Sequence, residues 1–146
     1  MLGRPALGYQ NYAEVIEENI FYIDKTDFIR EWCEYGDKVT LITRPRRFGK
    51  TLNMSTVECF FSNKYAGRGD LFEGKVIWND EKYRQLQGTF PVIFMSFASV
   101  KTGNIAGIKT ALKQIISDVY SKHRDIMLSD VKALRRRLMS RSYSVS

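Results

Sequence analysis

The chain has 146 residues, 44% of them hydrophobic and 13% aromatic, with a formal net charge of +7. That length and composition support one packed core and exclude a disordered chain, and no apolar run reaches the roughly 18 residues of a membrane helix. The N-terminus lacks the apolar stretch of an export signal, so a cytoplasmic protein is expected. Cys33 and Cys59 stand without CxxC spacing, and the single histidine, His123, lies in a helical pattern. Metal-cluster and Cys–His chemistry are therefore not expected.

The first 20 residues read as a lead-in, with a short amphipathic helix over 12–18, and Phe21-Tyr22-Ile23 as a brief extended segment. Asp24 is placed to cap the next helix, with Asp27 three residues on and Phe28, Ile29, Trp32 and Cys33 along one face. Gly36 ends that helix. Residues 38–43 form an apolar first strand, buried on both faces in the manner of a parallel sheet. A helix over 51–62 follows a basic turn. Residues 63–70, with Gly67 and Gly69, read as a loop, 71–78 is ambiguous, and 81–86 is a short helix. Residues 90–97 are a second core strand. Asn104 caps a long helix to Lys122, in which Ile105, Ile108, Leu112, Ile115, Ile116 and Val119 recur at helical spacing. A last helix is expected over 129–139, and 135–146 as a polar tail that frays.

The turn between the first strand and its helix carries the chemistry. Arg44-Pro45-Arg46-Arg47-Phe48-Gly49-Lys50-Thr51-Leu52 fits a phosphate-binding loop, G-x-x-x-x-G-K-[ST], at its last three fixed positions. Gly49 stands where the backbone must approach phosphate closely. Lys50 reaches the β/γ oxygens, Thr51 ligates Mg²⁺, and backbone N–H groups of residues 47–51 cradle the phosphates at a helix N-terminus. Arg44 replaces the first glycine, and Pro45 supplies part of the same turn by fixing φ. Arg46 or Arg47 adds a guanidinium to the γ-phosphate or to a neighbouring subunit's nucleotide. Phe48 either braces the loop or stacks on a base. The alternative is a basic surface turn with Lys50 solvated.

Together with Phe21-Tyr22-Ile23-Asp24-Lys25-Thr26-Asp27-Phe28-Ile29, Phe60-Phe61, Leu71-Phe72-Glu73-Gly74 and Phe90-Pro91-Val92-Ile93-Phe94-Met95-Ser96-Phe97, this loop resembles the bacterial AAA-ATPase-like family over about residues 5–125. The resemblance implies an α/β P-loop NTPase fold of three αβα layers, with ATP and Mg²⁺ as cofactors, and accepts arginine at the position of Arg44. It implies a nuclease-like domain downstream, through which any DNA would be met. Related ATPases also pack a short motif against adenine ahead of the P-loop strand. Here that role would fall to Tyr22 or Ile23 for the apolar contact and to Asp24 or Lys25 for the polar one, unless Asp24 and Thr26 simply start a helix.

A P-loop ATPase needs a second acidic site, the Walker B strand, to complete the Mg²⁺ shell and orient water. The run 90–97 continues into Ala98-Ser99-Val100 without a carboxylate, Asp118 and Asp125 lie in a helical pattern, and Asp130 follows a run too short and polar for a buried strand. The expectation is therefore the N-terminal portion of one ATPase domain, with the Walker B and later strands absent. Such a chain would bind nucleotide with little hydrolysis and be prone to self-association through unpaired strand edges. Two other readings stay open. A nucleic-acid module would use the basic cluster Arg44, Arg46, Arg47 and Lys50 or the one at Arg135, Arg136, Arg137 and Arg141, although neither interleaves aromatics. A truncated product would have no function.

Overall fold

The computed structural model describes residues 8–36, 38–43, 49–101, 103–124 and 128. The helix expected over 129–139, the tail, and Arg44, Pro45, Arg46, Arg47 and Phe48 lie outside the described residues. The chain divides into two compact units, Met1–Val92 and Ile93–Ser146.

In the first unit, helix α1 (Tyr12–Glu17) starts where the Asn11 side chain accepts from Ala13 N, satisfying one of the amide donors that a helix start leaves open. Helix α2 (Asp27–Tyr35) stops at Gly36, whose φ of 64° is left-handed and whose N–H bonds to Trp32 O, the usual glycine termination. Helix α3 (Lys50–Phe61) begins at Gly49. Three short 3₁₀ turns, Asn63–Tyr65, Gly69–Phe72 and Val76–Asn79, lead to α4 (Glu81–Leu86). Asp80 caps α4 by accepting from Lys82 N at 2.9 Å.

The core of this unit gathers Tyr12, Ile29, Cys59, Phe60, Leu71, Phe72, Ile77 and Tyr83. Tyr12 is central to it. Its ring stacks on Phe72 at 5.2 Å and meets Tyr22 edge-on at 5.3 Å, while its hydroxyl donates to Leu71 O at 2.9 Å. Aromatic pairs of this kind add about 0.5–1.5 kcal/mol beyond the area they bury. The far end of α3 is held by residues 87–90. Gly88 N and Phe90 N donate to Phe60 O and Phe61 O, each at 2.8 Å, and Gln87 Nε2 donates to Tyr65 O. Those bonds satisfy carbonyls that a helix end otherwise leaves open.

The second unit contains α5 (Ile105–Lys122), capped by Asn104 Oδ1 accepting from Gly107 N at 2.6 Å. None of its residues is fully buried.

The three-layer αβα fold expected from the sequence is not what the described residues form. They are helical, with no strand, and β-type pairing is limited to isolated bridges such as the parallel one between Ser62 and Phe90. The two segments expected as core strands, 38–43 and 90–97, carry no ladder. Val39 and Leu41 are 86% and 83% exposed, and Ile93 and Phe97 are also exposed, so neither run is buried on both faces. The physical reason is that an apolar run becomes a strand only when neighbours take up its backbone N–H and C=O groups. Among the described residues no such neighbour lies alongside 38–43, and in 90–97 only Phe90 is paired, through its N–H to Phe61 O and its carbonyl to Asn63 N. Residues 38–43 are instead tied to α2 through Trp32 Nε1, which donates to Thr40 Oγ1 at 2.9 Å.

Candidate functional site

The start of α3 is built by glycine. Gly49 sits at φ 71°, ψ 20°, as the cap residue of a helix of 12 residues, a conformation that costs any residue with a Cβ about 1–2 kcal/mol. Its carbonyl accepts from Asn53 N at 2.9 Å. Among the described residues nothing lies within 4 Å of where a Cβ would stand. The left-handed backbone conformation is itself a reason for glycine here. Gly49 has no side chain with which to cap α3, and the first-turn amides and dipole of such a helix start suit an anion. Lys50 is half-buried there, Thr51 is exposed, and Leu52 packs partly against the core.

Two side chains of α3 are taken up by hydrogen bonds, one to α1 and one within the helix. Ser55 Oγ accepts from Tyr12 N at 3.0 Å, giving a partner to an amide in the first turn of α1. Thr56, fully buried, donates its hydroxyl to Leu52 O at 2.9 Å. The first link is not visible in the local sequence, because it joins residues 43 positions apart.

The segment Tyr22–Lys25 divides by direction. Tyr22 packs inward on Tyr12. Burial raises its pKa, against the opposing effect of the Lys25 backbone and the Thr56 hydroxyl beside it. Asp24 uses both carboxylate oxygens on backbone donors: Oδ1 accepts from Thr26 N at 2.8 Å and Oδ2 from Val76 N at 2.7 Å. Partial burial works against that charge, but the two N–H groups, the Thr26 hydroxyl and Lys75 outweigh it and hold the carboxyl below its ordinary pKa. Thr26, fully buried, accepts from Ile77 N at 3.2 Å. Ile23 is 65% exposed, and Lys25 is exposed as well. The helix that Asp24 was expected to cap begins at Asp27 instead, because Asp24 closes a turn onto Thr26 and reaches across to the 3₁₀ turn at Val76. A D-x-T turn is locally legible. The bond to Val76, 52 residues away, is not.

Other groups are spoken for. A cleft lined in part by Arg30 and Arg84 offers no unpaired cation, since Arg30 contacts Asp27 at 2.7 Å and Arg84 contacts Glu81 at 2.6 Å. Burial raises the thiol pKa of both Cys33 and Cys59, which disfavours a nucleophilic thiolate. Among the described residues no cluster of three or more His, Cys, Asp or Glu could hold a metal ion, and no helix is long and apolar enough to cross a membrane.

A family model described as "Predicted AAA-ATPase" matches residues 6–143. Over 69 residues the chain is 38% identical to an uncharacterized protein in the vnfD 5′ region of Azotobacter chroococcum mcd 1. The match covers 47% of this chain and 12% of that relative, so the chain spans a small part of the relative's length. No solved structure matches.

Proposed function

The chain belongs to the AAA-ATPase-like family of predicted AAA-ATPases, and from that membership and the start of α3 we propose that it binds ATP with Mg²⁺ through residues 44–52. The carrying observation is Gly49 in a left-handed conformation directly before Lys50 and Thr51, as the cap residue at the start of α3. Lys50 meets the β/γ-phosphates, Thr51 supplies one ligand to the Mg²⁺ that accompanies the nucleotide, and the first-turn amides complete the cradle. Arg44, Pro45, Arg46, Arg47 and Phe48 form the preceding part of the loop, and residues 22–25 offer a contact to the base. ATP is preferred over GTP on family membership. The part of this chain in the reaction is binding, and turnover is left to acidic groups supplied from elsewhere. Both cysteines are free thiols, and the cytoplasm is the compartment this reading implies.

A fluorescent ATP analogue tests the proposal against the nucleic-acid alternative. The expected result is saturable binding, displaced by ATP and indifferent to duplex DNA. Displacement by DNA but not by ATP would replace the nucleotide reading with a nucleic-acid one.

A further inference from the structure

We infer that one face of α5 is a docking surface for a single strand of DNA, with Lys109 and Lys113 holding backbone phosphates and Tyr120 stacking on a base. At about 100° per residue, Lys109, Lys113, Ile116 and Tyr120 recur at i, i+4, i+7 and i+11, within an arc of about 60° and over about 17 Å of helix. All four are exposed, Ile116 and Tyr120 by 47% and 55%. Leu112, Ile115 and Val119, which are half-buried, lie on the neighbouring arc, so the stripe is turned to solvent.

The charge on this stripe is uncompensated. Residues 101–124 hold Lys101, Lys109, Lys113, Lys122 and Arg124 against one acid, Asp118. Asp118 sits on roughly the opposite side of the helix from the two stripe lysines, where it accepts from Gln114 Nε2 at 2.8 Å. Among the described residues neither Lys109 nor Lys113 joins an ion pair, whereas Arg30, Arg68 and Arg84 are all paired. Such a surface repels a second copy of itself and attracts a polyanion. A membrane is disfavoured, because insertion uses the apolar arc of a helix and Leu112, Ile115 and Val119 on that arc are already half-buried. A polynucleotide suits both ends of the stripe. Lys109 and Lys113 stand about 6 Å apart along the axis, close to the step between successive phosphates of one strand, and Tyr120 beside Ile116 offers a flat face to an unpaired base. Contacts to phosphate and base need no 2′-hydroxyl, so DNA is the strand assigned.

The test is fluorescence anisotropy of a labelled oligothymidylate with the wild-type chain, at several salt concentrations, with and without Mg-ATP. Binding is expected to be saturable, weakened by salt, unmoved by ATP and tighter than to duplex of the same length. Lys109→Gln combined with Lys113→Gln is expected to flatten the slope of log K against log salt by about 1.4, two single-strand phosphate contacts at about 0.7 each. Tyr120→Ala is expected to weaken binding about tenfold at an unchanged slope, while Tyr120→Phe, which keeps the ring, binds as the wild type does. Misfolding would not separate the two effects in this way. No binding by the wild type, tighter binding to duplex, or variants that bind as the wild type does would overturn the inference. Displacement by ATP would move the strand to residues 44–52, and equally strong displacement by polyglutamate or by phosphatidylserine vesicles would give the surface to an acidic protein or a membrane. Oligouridylate bound about tenfold more tightly would reassign the strand to RNA. The inference does not rest on nucleotide binding, so a chain that binds the oligothymidylate through α5 but no ATP supports it while removing the nucleotide reading.

Discussion

Asp24→Asn changes one atom and removes a charge, and its cost follows from the contacts of the two carboxylate oxygens. Each oxygen serves a different backbone donor, Thr26 N at 2.8 Å and Val76 N at 2.7 Å. An asparagine keeps one carbonyl oxygen, so one donor keeps a neutral acceptor while the other faces an amide NH₂. A lost hydrogen bond to a charged group amounts to about 1.5–3 kcal/mol. Asp24 is only partly buried, so solvent screening places the loss near the lower end, about 1.5–2 kcal/mol. For a chain of this size that lowers the melting temperature by roughly 5–8 °C.

The pH dependence supplies a second handle on the same residue. Folding holds the Asp24 carboxyl below its ordinary pKa of 3.8. Its contribution is therefore fully present above that unfolded value and is lost as pH falls through the lower folded value. Thermal denaturation followed by circular dichroism near pH 7 should show the drop, and the gap between wild type and variant should close at pH values below about 3.8, as the wild-type carboxyl protonates. A variant melting within a degree of wild type at neutral pH would refute this bonding of Asp24, and so would a gap that persists unchanged into acid.

Gly88→Ala should lower stability by roughly 2 kcal/mol or more, because φ is 68° and the new Cβ would stand 2.6 Å from Ala66 Cα, backbone rather than a movable side chain. Gly74→Ala, at φ 73° with open space around it, should lose only the backbone component of about 1–2 kcal/mol. Equal denaturation midpoints for the two variants would contradict the close packing of residues 87–90 on the end of α3. Thr51→Ala should weaken ATP binding about tenfold in Mg²⁺ and scarcely at all in EDTA, and equal losses in both would remove Thr51 from the metal.

The helices were largely legible because their signals are local. Asn104 and Gly36 mark boundaries that the structure reproduces within a residue or two, whereas Gly49, expected as a point of close approach to phosphate, adds a left-handed backbone that the motif alone did not announce. The sheet was misread because an apolar run such as 38–43 states only that its side chains avoid water. Whether it becomes a strand depends on a second segment alongside, and residues 38–43 have none among the described residues, with Val39 and Leu41 left in solvent. Much of what frames the candidate site was likewise invisible. Ser55 bonds Tyr12 N, Asp24 bonds Val76 N and Thr26 bonds Ile77 N across separations of 43, 52 and 51 residues, and no window of local sequence carries such pairings.

The central claim, that Lys50 and the start of α3 hold the phosphates of ATP, is tested most directly by titration calorimetry of Mg-ATP into the wild-type chain and Lys50→Ala. Loss of a charge-assisted contact of about 1.5–3 kcal/mol predicts affinity weaker by roughly tenfold to a hundredfold or more in the variant. Equal affinity in the two proteins, or no measurable heat of binding to the wild type, would contradict the account.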